Sequence, residues 1–416
     1  MIPFSPPRMD QKIVDEVVDT LFSGWITTGP KTKKFEKLLT IYGGHKVTLC
    51  VSSASAGLEL MLRWFGVKQG DEVIVPAYTY SATANVVVHC GAKVVFVDVN
   101  DDFNIAVAAI EKAITPRTKV IMPVDVAGWP CDYDAINALV RKPSIQQLFS
   151  PHSKEQQMLN RILVLSDAAH SIGGQYHGGK VGNLTDITVY SFHAVKNLTT
   201  AEGGAVCLNL PEPFNHNDIY KALNAKSLHG QTKDALAKTQ IGGWRYDIIE
   251  PGYKYNMTDI QASIGLVELA RYDDDMLVRR KQIFDKYAIA FSKYNWAQVP
   301  EYECDGKRSS YHVFLLRIKD INETQRDQII QEIFTREVAV NVHFVPLPMM
   351  TYYRNEGYDI KDYPVAYDNY SREISLPVYY DLTDEMVDTV IKAVVESVNG
   401  SNWQSAVRIK LKEFDK

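Results

Sequence analysis

The chain has 416 residues, with 46% from the hydrophobic set and 23% charged, more than one small core needs and suited to two domains of a globular enzyme. Net charge is −5 and the pI about 6.1, a balance that argues against a nucleic-acid or anionic-membrane surface. No apolar run is long enough to span a bilayer, and the start, Met1-Ile-Pro-Phe-Ser-Pro-Pro-Arg8, lacks the charged head and continuous apolar stretch of a signal peptide.

From Lys46 to Val206, short β-branched runs alternate with helical stretches. The pattern predicts a strand over 47–51, a helix over 55–65, and a strand over 72–76. A helix over 81–89, a strand over 93–98, a helix over 106–114, a strand over 119–124 and a helix over 133–141 follow. Strands over 162–165 and 187–192 complete the series. This alternation is expected of an α/β domain with a mostly parallel central sheet, which binds ligands beyond the carboxyl ends of its strands. The polar stretch 142–160 interrupts the alternation and reads as a surface insertion with no structural role beyond decoration.

The texture changes near Thr258. Helices are predicted over 259–272, 273–294, 325–336 and 384–398, with strands over 312–318 and 339–344. Residues 1–257 are expected to form a large α/β domain, and 258–416 a smaller α+β domain that includes the linking helix. Five scattered cysteines (Cys50, Cys90, Cys131, Cys207, Cys304), with no Cys-x-x-Cys spacing, point to reduced, mostly buried thiols in a cytoplasmic protein.

Two polar residues stand just past apolar β-runs. Asp167 ends Ile162-Leu-Val-Leu-Ser-Asp167, and Lys196 follows the run 187–192. Lysines after strands are usually solvated, and an aspartate there often caps a helix. Together at neighbouring strand ends they suit pyridoxal phosphate, whose aldehyde needs an amine and whose ring nitrogen needs a carboxylate. The turn Ser52-Ser-Ala-Ser-Ala-Gly57 lies between a strand and a helix, where free N–H groups hold a phosphate; Ser55 could equally be the helix cap. Ser191 is a second phosphate ligand by its nearness to Lys196. Of Tyr78 and Tyr80, one is expected in the core and one against a flat ligand. His229 and His343 read as structural histidines, and no histidine pair has metal-ligand spacing. Asn256 or Thr258 is expected to cap the helix that begins near 259.

These segments resemble the DegT/StrS-type sugar aminotransferases, a branch of the fold-type-I enzymes that use pyridoxal phosphate (PLP). The resemblance runs over essentially the whole chain: Gly24-Trp-Ile-Thr-Thr-Gly-Pro30, Val51-Ser-Ser-Ala-Ser-Ala-Gly57, Asp167-Ala-Ala-His170, Ser191-Phe-His-Ala-Val-Lys-Asn197, Pro251-Gly-Tyr-Lys-Tyr-Asn256 and Ser375-Leu-Pro377. It implies PLP bound covalently to Lys196, with Asp167 on the ring nitrogen. It also implies Ala54, Ser55 and Ser191 on the phosphate, Tyr80 stacked on the ring and His170 beside it. Asn256 would reach the phosphate of a neighbouring subunit, which makes the protein a homodimer with shared active sites. Thr27, Thr28, His193 and Lys254 would lie near a sugar nucleotide. The motifs look most like those of enzymes that make 4-amino sugars on UDP, such as 4-amino-4-deoxy-arabinose, with L-glutamate as donor. A 3-keto sugar aminotransferase and a PLP-dependent sugar dehydratase are the alternatives; dehydratases of this family replace the lysine by histidine, and this chain keeps Lys196. The sequence departs from the family in Ser166, where Glu is usual, in Ser55 for a threonine, and in the length of 142–160.

Overall fold

The structure is a computed structural model that describes residues 1–234 and 244–400. Seven strands form the central sheet: β1 (Val47–Val51), β2 (Glu72–Pro76), β3 (Lys93–Val97), β4 (Thr118–Ile121), β5 (Leu163–Asp167), and, after a short hairpin of β6 (Gln175–Tyr176) and β7 (Gly179–Lys180), β8 (Ile187–Ser191) and β9 (Gly204–Leu208). Their order is β1-β9-β8-β5-β4-β2-β3. Every neighbour pair is parallel except those of β9, which runs against both β1 and β8. β2, β4, β5, β8 and β9 are buried along their whole length, as strands of a sheet covered on both faces are. β5 is central, so its carboxyl end, and that of β8 beside it, lie in the middle of one sheet edge.

The linking helix Asp259–Ala270 is capped by Thr258, whose hydroxyl accepts from Gln261 N while the Gln261 side chain accepts from Thr258 N. Thr258, not Asn256, is thus the cap. A π-helical turn, Tyr272–Met276, joins it to helix Leu277–Phe291. Beyond lie the edge strand β10 (Ala297–Gln298), the pair β11 (Glu303–Cys304) and β12 (Lys307–Arg308), β13 (Phe314–Ile318), helix Glu323–Thr335, β14 (Glu373–Leu376) and helix Asp384–Gly400. β10, β13 and β14 form one antiparallel sheet, while β11 and β12 extend the β6–β7 hairpin of the first half. One apolar core surrounds the central sheet. A second runs from Phe35, Tyr190 and Phe192 through Phe284, Tyr287 and Phe314 to Leu376 and Val394.

Two expectations are corrected. Residues 339–344 are not a strand, despite their alternating pattern. The segment forms an isolated bridge, Asn341↔Ser375, on the free edge of β14 rather than a ladder, then turns away toward Pro346. Residues 142–160 are not decoration. They form two short helices, Pro143–Leu148 and Lys154–Leu159, that bury Ile145, Phe149, Gln156 and Leu159. The Gln156 amide donates to Phe65 O at 3.0 Å, and His152 Nε2 sits 2.9 Å from Asp71 Oδ2. All five cysteines are free; only Cys304 is exposed. Among the described residues no helix is long and apolar enough to cross a membrane.

Candidate active site

A cavity of about 460 Å³ opens at the carboxyl ends of β5 and β8. It collects eight of the twelve residues to which the resemblance gives a cofactor or substrate role: Ala54, Ser55, Tyr80, Asp167, His170, Ser191, His193 and Lys196. Chain geometry explains the convergence. Ser191 pairs with Gly204 across β8 and β9, Phe192 N–H donates to Gly203 O, and the intervening loop folds back so that Lys196 N–H donates to His193 O. That turn brings Lys196 over the edge where β5 ends in Asp167. Gly204 lacks a Cβ for a reason: one there would lie 2.6 Å from Ala54 N and from the Ser53 carbonyl carbon. Its absence lets the Ser53–Ser55 turn pack onto the end of β9.

Helix Ala54–Trp64 starts at that turn. Ser53, rather than Ser55, is its cap, accepting from Ala56 N at 3.1 Å. The Ser55 hydroxyl is therefore left for the cavity, next to first-turn N–H groups that have no carbonyl partner within the helix. The Ser191 hydroxyl lines the same wall.

Asp167 is buried, and both its oxygens are held. Thr83 Oγ1 donates to Oδ2 at 2.8 Å and Ala169 N to Oδ1 at 3.2 Å. Burial pushes its carboxyl pKa up, opposed by these donors and by the charge of Lys196. Lys196 lines the cavity and is only partly exposed; burial pushes its pKa down to about 8, with Asp167 acting the other way. An amine of lowered pKa and a buried carboxylate thus face one space.

Tyr78 is a core residue whose hydroxyl donates to the His343 carbonyl, while Tyr80 is exposed and lines the cavity with its ring 6.1 Å from Phe344. His170 stacks on Phe344 at 5.7 Å and meets His312 at 4.3 Å between centroids. Ala127 N–H donates to His170 Nδ1, so the neutral ring carries its proton on Nε2. Burial, then the nearby Lys196 and His343, push the His170 pKa well below the usual histidine value, and burial does the same for His312. His193 lies at the mouth, 3.7 Å from Glu202.

The other four residues do not line this chain's cavity. Thr27 and Lys254 are exposed. Asn256 Nδ2 donates to Thr28 Oγ1 at 2.7 Å, and Thr28 in turn donates to Met257 O. The Asn256 segment nonetheless touches the Ser52–Ser55 turn through Ser52 N–H to Tyr255 O.

Several cavity residues escaped sequence reasoning. Phe4 and Ser5 come from an N-terminal arm anchored by Ile2 to Glu337 and Ala339; its proline-rich, non-periodic sequence carries no signal. His312 stands just ahead of β13, where a histidine before an apolar run was the available hint. His343, read as structural, lines the cavity, because the run that was expected to be a strand instead bends into it.

The residues fit PLP: a poised amine, a buried carboxylate held by donors, an exposed tyrosine ring, and a serine-rich helix start that a phosphate can occupy. Comparison with known proteins agrees. The profile of the DegT/DnrJ/EryC1/StrS aminotransferase family matches residues 7–149 and 153–395. A Streptococcus pneumoniae protein assigned as a sugar aminotransferase, solved in its PMP form, is 46% identical, with TM-score 0.92 over 96% of this chain and 100% of that one. Its PLP form superposes with TM-score 0.91. The spore coat polysaccharide biosynthesis protein SpsC of Bacillus subtilis is 36% identical over 96% of this chain and 98% of its own. PseC of Helicobacter pylori, an aminotransferase involved in the biosynthesis of pseudoaminic acid, is 26% identical with TM-score 0.82, over 96% of this chain and 100% of that one.

Proposed function

This chain belongs to the DegT/DnrJ/EryC1/StrS aminotransferase family, and on that premise we propose that it is a cytoplasmic, PLP-dependent enzyme that moves the amino group of L-glutamate to C4 of a nucleotide-linked 4-keto sugar. The 4-amino product would serve cell-surface glycan synthesis. The observation that carries the reading is the meeting of Lys196 and Asp167 in one cavity beside the Ser53–Ser55 helix start. The names of the pneumococcal, Bacillus and Helicobacter relatives support a sugar acceptor.

When bound, PLP supplies an aldehyde that carries the amino group and a ring that accepts electrons. Lys196 would hold the cofactor, and its neutral amine would serve as the base that takes the α-proton of the donor, a role worth about 10²–10⁴-fold. A pKa near 8 leaves more neutral amine at physiological pH than an ordinary lysine offers. Asp167 holds a proton on the ring nitrogen. Ala54, Ser55 and Ser191 bind the phosphate, Tyr80 covers the ring, and His170 lies beside it. Asn256 is assigned to the phosphate of the partner subunit, and Thr27, Thr28, His193 and Lys254 to the sugar nucleotide. The dimer is supported by the exposed apolar residues Val14, Val18, Leu21 and Phe22 along the first helix, Gln11–Phe22, with Phe22 at 88% exposure.

The test is an absorption spectrum of the purified protein before and after L-glutamate, followed by UDP- and dTDP-linked 4-keto sugars. Loss of the visible band with glutamate and its return with one keto sugar supports the reading. A Lys196→Ala variant that still turns over many times overturns it.

A further inference from the structure

Resting on the reading of this cavity as the active site, we propose that Glu373 and Ser375 form a proton relay that decides which nitrogen of His343 carries its proton. The ring then offers the cavity a hydrogen-bond donor in one state and an acceptor in the other.

Glu373 and Ser375 are two apart on β14, so both point to the same face, and both are fully buried. Ser375 Oγ lies 2.6 Å from Glu373 Oε1 and 2.9 Å from His343 Nδ1. The other carboxyl oxygen, Oε2, accepts from His343 N at 3.1 Å. One carboxyl group therefore grips the histidine both through its backbone and through its ring. With Nδ1 engaged by Ser375, Nε2 is the nitrogen left for the cavity that His343 lines. The Phe4 ring stacks on the imidazole with centroids 5.5 Å apart, fixing its plane.

A serine hydroxyl has one proton, so the chain has two consistent states. With Glu373 protonated, its O–H donates to Ser375, the serine donates to Nδ1, and the imidazole proton sits on Nε2. With Glu373 ionised, the serine donates to the carboxylate and Nδ1–H donates to the serine, leaving Nε2 bare. Passing from the first state to the second moves the carboxyl proton to the serine and the serine proton to Nδ1, and releases the Nε2 proton into the cavity. One proton leaves in total and no heavy-atom bond changes.

The surroundings keep this a tautomer switch rather than a charge on the ring. Burial, then Lys196, pushes the His343 pKa down to about 3, so the ring stays neutral. His170 and His312, which also face it, are held neutral by burial. Around Glu373 stand Arg317, Arg326 and the Tyr78 hydroxyl; burial outweighs the two arginines and pushes the carboxyl pKa up to about 8. The donor state is thus the state below about pH 8, and the acceptor state the one above.

The test is imidazole NMR of the holoenzyme labelled with ¹⁵N-histidine, with His343 assigned by His343→Gln and spectra taken from about pH 6 to 9.5. The expected result is a proton on Nε2 at the low end and on Nδ1 at the high end. Ser375→Ala should abolish the change, Ser375→Thr restore it, and Glu373→Gln make the tautomer independent of pH. A wild-type tautomer that is the same at both ends, or a transition that survives Ser375→Ala, overturns the relay. The spectra need no turnover. If they fail while glutamate still bleaches the visible band, the relay alone is wrong; if glutamate does nothing, the reading of the cavity is wrong.

Discussion

The hydroxyl of Thr83 donates to Oδ2 of Asp167 at 2.8 Å, with Thr79 Oγ1 a further 2.9 Å behind it. Thr83 sits in the first turn of helix Ser81–His89, fully buried, and it is the only side-chain donor to this carboxylate among the described residues. A carboxylate this deep needs such donors to stay charged. Thr83→Val keeps the shape and removes the bond. A hydrogen bond to a charged group is worth about 1.5–3 kcal/mol, so the glutamate-driven loss of the visible band should slow about 10–100-fold. Thr83→Ser should recover most of the rate. A Thr83→Val rate within about twofold of wild type would show that Asp167 needs no such support.

The depressed pKa of Lys196 has a direct consequence. Burial favours the neutral amine, so below about pH 8 most of it is protonated and above that most is nucleophilic. Covalent uptake of PLP by the apoprotein, followed by the visible band, should rise about tenfold per pH unit below this value and level off above it. A rate still climbing near the pKa of an ordinary lysine would mean that the amine is not desolvated.

Much of this site was legible because its two central residues have few places to go. Asp167 is the last residue of β5 and Lys196 lies in the short loop after β8, so both fall at the sheet's carboxyl edge, and adjacency of β5 and β8 does the rest. Thr83, His312 and the Glu373–Ser375 pair were not legible, since their partners are 84, 115 and 32 or fewer residues away in sequence and no period links them. The alternation over 339–344 misled for a related reason: the pattern of a half-buried strand is present, yet only Val340 is fully buried, and the segment keeps a single bridge to β14 before it bends toward the cavity. Polarity misled over 142–160, where a single buried glutamine does work that the composition hides.

That glutamine is testable. Gln156 is fully buried, its amide donating to Phe65 O at 3.0 Å and its oxygen accepting from His152 N at 3.1 Å. Gln156→Ala strands the His152 N–H and weakens the hold on Phe65. The cost should be about 1–3 kcal/mol, seen as a fall of several degrees in the apparent Tm. The glutamate half-reaction of the folded protein should be unchanged at lower temperature. An unaltered Tm would return 142–160 to the status of decoration.

The N-terminal arm supplies the last prediction. Ile2 is tied to Glu337 and Ala339, Arg8 to Asp275 at 2.8 Å, and between these anchors Phe4 and Ser5 cross the cavity, with the Phe4 ring on His343. The arm links the far half of the chain to one wall of the cavity. Phe4→Ala removes the stacked pair and part of the apolar wall, while leaving Lys196, Asp167 and the phosphate turn untouched. An aromatic pair contributes about 0.5–1.5 kcal/mol beyond its buried area, so KM for the keto-sugar acceptor should rise about 2–10-fold. The glutamate half-reaction, whose proposed amino acid is small, should change less than that. If Phe4→Ala slows the glutamate step as much as it weakens acceptor binding, the arm is shaping the catalytic groups themselves and not the entrance, and its stacking on His343 is where that influence would be sought.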